Sequence, residues 1–181
     1  MNEPIVLALS ISPTHTLSKQ NQSEIEIVAG FGVKGDAHMG EKVKHRSRVR
    51  QNPNQPNLRQ VHLIHSELFE ELEIAGFDIN PGDMGENITT ANLDILALPR
   101  DTILSIGKEV KLLITGLRNP CDQLNGIEKG LMDAVISKDD QGQLIRKAGI
   151  MSVVLSGGII KKGDMILVEY PNKPYIKLDR V

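Results

Sequence analysis

Ile103-Leu104-Ser105-Ile106-Gly107-Lys108-Glu109-Val110-Lys111-Leu112-Leu113-Ile114-Thr115-Gly116-Leu117-Arg118-Asn119-Pro120-Cys121 sets the reading of this chain. Two apolar runs, residues 103–106 and 110–115, flank Gly107-Lys108-Glu109, a pattern that predicts a β-hairpin. Residues 127–136 carry a helical pattern, so Cys121 falls in a strand-to-helix connection, the kind of segment that carries chemistry more often than a core does. Pro120 biases Asn119 toward extended backbone, and Arg118 adds a permanent cation nearby; both features favour a thiolate. Two readings of this single cysteine stay open: a nucleophile or soft metal ligand, and an inert, buried small hydrophobe.

Upstream, residues 5–11 form an apolar run stopped by Ser12-Pro13, and residues 24–27 alternate as a half-buried strand does; the two are expected to pair. The polar residues 14–23 between them read as a loop. Residues 30–40, dense in glycine, match neither a Walker loop nor a dinucleotide fingerprint and read as tight turns or as a close approach of backbone to ligand. Lys42, Lys44, Arg46, Arg48 and Arg50, with His45 among them, would project to one side of an extended chain. The Asn/Pro-rich residues 52–57 that follow favour a mobile solvated loop over a clamp for a phosphate-bearing ligand.

Residues 59–65 predict a strand and Ser66 the N-cap of a helix that buries Leu68, Phe69 and Leu72 and stops at Gly76. His62 and His65 have opposite parity on that strand, so they cannot share a metal site there and read as structural or surface histidines. Asp83 and Glu86, beside glycines, read as turn caps before acid-base groups. Residues 151–155 and 165–169 predict further strands. Many short strands and two helices point to a mainly β, barrel-like domain over residues 1–170, with 171–181 as an exposed tail.

Composition narrows the function classes. The formal net charge is -2 and the aromatics are three Phe and two Tyr, with no Trp. Neither an overall electrostatic attraction to nucleic acid nor a base-stacking platform is supplied, so no nucleic-acid partner is expected. One cysteine excludes intramolecular disulfides and multi-cysteine zinc or iron-sulfur sites, which fits a reducing cytoplasm. Met1-Asn2-Glu3-Pro4 and the short apolar run behind it lack the pattern of a signal peptide. No run approaches the roughly 18 residues of a spanning helix, so no membrane partner is expected.

Gly35-Asp36-Ala37-His38-Met39-Gly40, Arg59-Gln60-Val61, Pro81-Gly82-Asp83-Met84-Gly85-Glu86-Asn87-Ile88 and Arg118-Asn119-Pro120-Cys121, in that order, resemble the MOSC domain, named for the C-terminal domain of molybdenum cofactor sulfurases. Ala148-Gly149-Ile150, Gly157-Gly158 and Lys162-Gly163-Asp164 continue the likeness, which runs from about Ile5 to Glu169 and is strongest to small stand-alone bacterial members. The resemblance implies a strongly bent, mostly antiparallel β-barrel that binds the molybdenum cofactor, a molybdenum held by the dithiolene of molybdopterin. Pyridoxal phosphate enters by family association only, through multidomain members.

By the same resemblance, Cys121 ligates the metal or carries sulfur. Arg59, Asn87, Arg118, Asn119 and Gly35 are cofactor-site candidates, and Asp36 and His38 match a motif in which their roles can be structural. Some relatives reduce N-hydroxylated substrates with electrons from an external reductase. The competing reading is a carrier that passes sulfur or cofactor to an acceptor molybdoenzyme. The basic residues 42–50 lie where the family varies.

Overall fold

The computed structural model describes residues 2–44 and 46–181. Its strands are β1 (Ile5–Ile11), β2 (Gln20–Gln22), β3 (Glu24–Val28), β4 (Gly32–Val33), β5 (Val61–His65), β6 (Ile88–Ala91) and β7 (Ile103–Ile106). They continue with β8 (Val110–Leu117), β9 (Ile136–Lys138), β10 (Leu144–Arg146), β11 (Ile150–Ser156), β12 (Gly158–Lys161) and β13 (Ile166–Glu169). Among the described residues three short α-helices accompany them: α1 (Arg46–Gln51), α2 (Glu67–Ile74) and α3 (Leu131–Ala134).

The protein is therefore mainly β. Eight strands form one sheet in the order β13-β7-β8-β11-β5-β6-β1-β2, and β12-β3-β4 and β10-β9 form two smaller ones. All pairs are antiparallel except β5 with β6. The ladders are open, with β13 and β2 at the ends. An isolated bridge joins Ile5 to Met165, and beside it Val6 N donates to Asp164 O and Ile166 N to Pro4 O.

The expected hairpin is present, with Ile106 opposite Val110. β8 shows why: Val110, Leu112 and Ile114 point into the core and Gly116 is buried, while Lys111, Leu113, Thr115 and Leu117 stay more exposed, the period-2 pattern of a half-covered strand. Val6, Leu9, Leu63, Ile88, Leu104, Leu112, Ile114 and Ile150 belong to the main core. A second core, including Ile64, Leu68, Leu72, Met84, Leu124 and Leu131, seals α2 and α3 against the sheet.

Several expectations are corrected. β1 pairs with β2 and β6, and β3 with β12 and β4, so the two N-terminal runs are not partners. The polar stretch between them contains β2. Ser66 is itself helical in backbone and makes no side-chain cap, and Phe69 is half-buried where Leu68 and Leu72 are buried. The helix expected over residues 127–136 shrinks to α3, preceded by a 3-10 turn at Asp122–Gly126, because Gly130 (φ 91°) interrupts it.

Residues 46–51 are helical, so Arg48 and Arg50 lie about 200° apart around the axis and do not share one side. Lys42, Lys44 and Arg50 are exposed and Arg48 is half-buried; His45 lies outside the described residues. Residues 171–181 are exposed except for Pro171, Leu178 and Val181. Leu178 joins the main core. Among the described residues no helix is long and apolar enough to cross a membrane.

Candidate active site

At its far end β8 outruns β7, whose last partner is Leu113, and continues to Leu117 against β11. Arg118 N then donates to Gly149 O at 2.9 Å. The chain leaves the sheet through Asn119 and Pro120 to Cys121, which is extended (φ -135°, ψ 163°) and precedes the 3-10 turn. Cys121 is half-buried, with its Sγ 3.6 Å from Gln123 Oε1. It is neither a core residue nor fully exposed.

Arg118 beside it is 7% exposed, and its guanidinium Nη1 is buried with no partner. Burial lowers the Arg118 pKa, opposed by the Cys121 sulfur and the Glu86 carboxylate. Burial likewise lowers Arg59, to about 10, with Arg118 and Arg48 adding repulsion. Among the described residues neither cation forms an ion pair with a carboxylate, which is costly unless an anionic group joins them.

Thiol and cations share a cleft of about 260 Å³. Its wall includes Cys121, Asn119, Arg118, Arg59 and Arg48, together with Lys19, His15, His38, His62 and Asn87. No Asp or Glu lies on this wall among the described residues. A negative or neutral ligand suits it, and a cationic one does not.

Behind Lys19, His38 and Asn87 lies a dense polar network. Asp36 Oδ2 accepts from Lys19 Nζ (2.7 Å), Asn87 Nδ2 (3.0 Å) and Ser12 N (3.3 Å), while Oδ1 accepts from His38 N (3.0 Å) and lies 3.3 Å from His38 Nδ1. Burial works against the Asp36 charge, but His38 and Lys19 outweigh it and hold the carboxyl well below the usual range. Burial lowers the Lys19 pKa despite its pairing with Asp36. His62 Nε2 lies 2.8 Å from Ala148 O, and burial with repulsion from Arg118 pushes its pKa far down, so it is neutral and donates to that carbonyl. Gly149 makes this approach possible: a Cβ there would sit 2.1 Å from Leu63 O and 3.0 Å from His62 Nε2.

The fold thus gathers Cys121, Arg59, Asn87, Arg118, Asn119 and His38 on one cleft. Gly35 and Asp36 are not on its wall: Gly35 (φ 81°) serves a turn, and Asp36 acts from behind. Asn87 reaches the wall with its amide engaged by His62 N, Ser10 O and Asp36 Oδ2. Asp83 accepts from Asn80 N and Glu86 from Gly82 N, so both serve turns; burial raises the Glu86 pKa. His65 Nδ1 is buried without a partner and away from the cleft.

Sequence reasoning missed Lys19 and read His62 as a structural or surface histidine; it is buried and lines the cleft. No local signal marks Lys19. Arg48 was visible in the basic run, but not its place on the wall.

Among the described residues no group of three or more His, Cys, Asp or Glu is placed to hold a metal. A metal here would arrive already chelated and take one protein thiolate. That donor set, with the unpartnered Arg118 Nη1, fits an anionic metal-bearing cofactor.

The YuaD protein from Bacillus subtilis is similar in structure, with a TM-score of 0.78 and 21% identity over 94% of this chain and 98% of that one. YiiM from Geobacillus stearothermophilus follows at 0.68 and 16% identity, covering 96% and 79%. YiiM from Escherichia coli gives 0.63 and 16%, covering 97% and 74%. No curated protein sequence matches the chain. The profile of the MOSC domain matches residues 35–167. The chain therefore belongs to the MOSC domain family, which is associated with the molybdenum cofactor.

Proposed function

We propose that this cleft binds the molybdenum cofactor and that the protein reduces N-hydroxylated substrates with electrons from an external reductase. The observation that carries the reading is the buried Arg118, its Nη1 unpartnered, beside the half-buried thiol of Cys121 on a wall without carboxylates. Cys121 Sγ would be the protein's ligand to the metal. Arg118, Arg59 and Arg48 would receive the anionic parts of the cofactor, a phosphate above all. The same reading takes the Ile5–Met165 bridge as the seam of a barrel of the family type.

When bound, the cofactor supplies a two-electron redox centre. The overall change is R–NH–OH + 2 e⁻ + 2 H⁺ → R–NH₂ + H₂O: the N–O bond breaks, and nitrogen and oxygen each take up one proton. Among the wall residues, His62 takes no part in proton delivery, because its Nε2–H is engaged by Ala148 O. The polar network fixes Lys19 and Asn87 in place, and the cation wall disfavours positively charged ligands.

The half-exposure of Cys121 favours a second reading, a carrier whose sulfur is reachable by an acceptor molybdoenzyme. One experiment separates the two. Protein made in a host that synthesises the cofactor is assayed for molybdenum and pterin, as wild type, Cys121→Ser and Arg118→Gln. It is then given reduced viologen and an N-hydroxylated base. Retention in wild type, loss in both variants and amine formation support the reductase; retention without amine formation, with transfer to an acceptor enzyme, supports the carrier. Equal cofactor content in Cys121→Ser and wild type overturns the ligand assignment.

A further inference from the structure

The side chain that matters most for charge in the cleft is held by nothing of its own. Among the described residues, Arg118 makes no side-chain hydrogen bond, and its Nη1 is buried and unpartnered. Its position must come from the backbone on either side of it. On the inner edge, Arg118 N is bonded to Gly149 O. On the outer edge β7 has already ended, and another segment takes its place.

That segment is residues 176–181. Leu117 N donates to Asp179 O at 2.8 Å, Val181 N donates to Leu117 O at 3.2 Å, and Leu117 forms an isolated parallel bridge with Arg180. Both polar groups of the residue immediately before Arg118 are thus engaged by this segment. Two further points pin it: Arg100 N donates to Ile176 O at 2.8 Å, and Leu178, 5% exposed, is buried in the main core. Gly116 makes room for it. A Cβ on Gly116 would lie 2.4 Å from Asp179 O and 2.9 Å from Val181 Cβ. Gly116 does not have positive φ, so its lack of a side chain serves this contact and not a special backbone conformation.

We infer that residues 176–181 are a positioning strap for the cleft: by clamping Gly116 and Leu117 they fix the Arg118 charge against the Cys121 thiol. The inference rests on the reading of Arg118 and Cys121 as ligand-binding residues, but it is tested without the cofactor. Because Cys121 is the chain's single cysteine, a thiol reagent reports on this site alone. The dianionic 5,5′-dithiobis(2-nitrobenzoate) and the neutral 4,4′-dithiodipyridine react with the same sulfur, and the ratio of their rates at one pH senses the local positive charge. Overall loss of stability does not by itself move that ratio in the folded protein.

Cofactor-free wild type, Arg118→Gln, Gly116→Ala and Val181→Pro are compared at low ionic strength, with folding checked by circular dichroism. Gly116→Ala must displace Asp179 or Val181, and Val181→Pro removes the N–H that Leu117 O accepts. The anionic-to-neutral ratio should fall by roughly 3- to 10-fold in Arg118→Gln, and the two strap variants should move most of the way to that value. A folded strap variant that keeps the wild-type ratio overturns the proposal, whether or not the protein proves to bind the cofactor. If Gly116→Ala does not fold, Val181→Pro, which adds no bulk at the clash point, decides alone.

Discussion

Two groups of residues at the cleft solve the problem of buried charge in opposite ways. In one, the Asp36 carboxylate is surrounded by Lys19, Asn87, Ser12 and His38, and every donor it meets is part of the fold. In the other, burial opposes the charges of Arg118 and Arg59 near Cys121, and Arg118 and Arg48 repel Arg59. A satisfied network stabilises and orients; an unsatisfied one is stable only as part of something larger. The first group is therefore scaffold, and the second is where a ligand's charge belongs.

Mutations should divide along that line. The largest effect is expected for Asp36→Ala, which strands a buried lysine ammonium and several donors: a loss of about 3–5 kcal/mol in urea unfolding. A loss below about 1 kcal/mol would mean that the network is not the scaffold.

Acid sharpens the same point. The folded Asp36 pKa lies well below its ordinary 3.8, so its stabilisation is complete above that ordinary value and is lost as pH falls from there toward the folded value. Urea midpoints between pH 6 and pH 3 should drop less steeply in Asp36→Asn than in wild type; equal slopes would remove Asp36 from the account.

On the ligand side the sign should reverse. Arg118→Met replaces an unpaired buried cation with an apolar chain of similar length and should leave the cofactor-free protein unchanged or raise its stability by about 1 kcal/mol, while cofactor retention is lost. A large destabilisation would show that Arg118 belongs to the scaffold. The smallest effect is expected for Cys121→Ala: a half-exposed thiol contributes little packing, so the thermal midpoint should correspond to about 1 kcal/mol or less, with cofactor content abolished. Collapse of folding would return Cys121 to the role of a core residue.

The legibility of the molecule follows the same division. β1, the β7–β8 hairpin and the place of Cys121 at a strand end depend on local periodicity and turn residues, and these are written in consecutive positions. Lys19 was not legible, because its burial depends on Asp36, 17 residues away and brought close by the path of β2, β3 and β4. Asn87 was placed at the site by resemblance, and the structure adds that its amide is engaged by the scaffold. The strand pairings failed for a related reason: alternation shows that residues 24–27 form a strand, but which neighbour it takes is decided by connections far along the chain. Arg48 failed through context, since a two-residue period suggests an extended chain and α1 is helical.

Gly149 bears on how freely this protein can change. Its φ of 89° and the Leu63 carbonyl that would stand 2.1 Å from any Cβ forbid both the conformation and the volume of other residues. A saturation library scored for folded protein should therefore show an almost empty row at position 149, beside tolerant rows at exposed positions such as Leu167 and Ile159. For anyone diversifying the cleft, randomisation should step over that position.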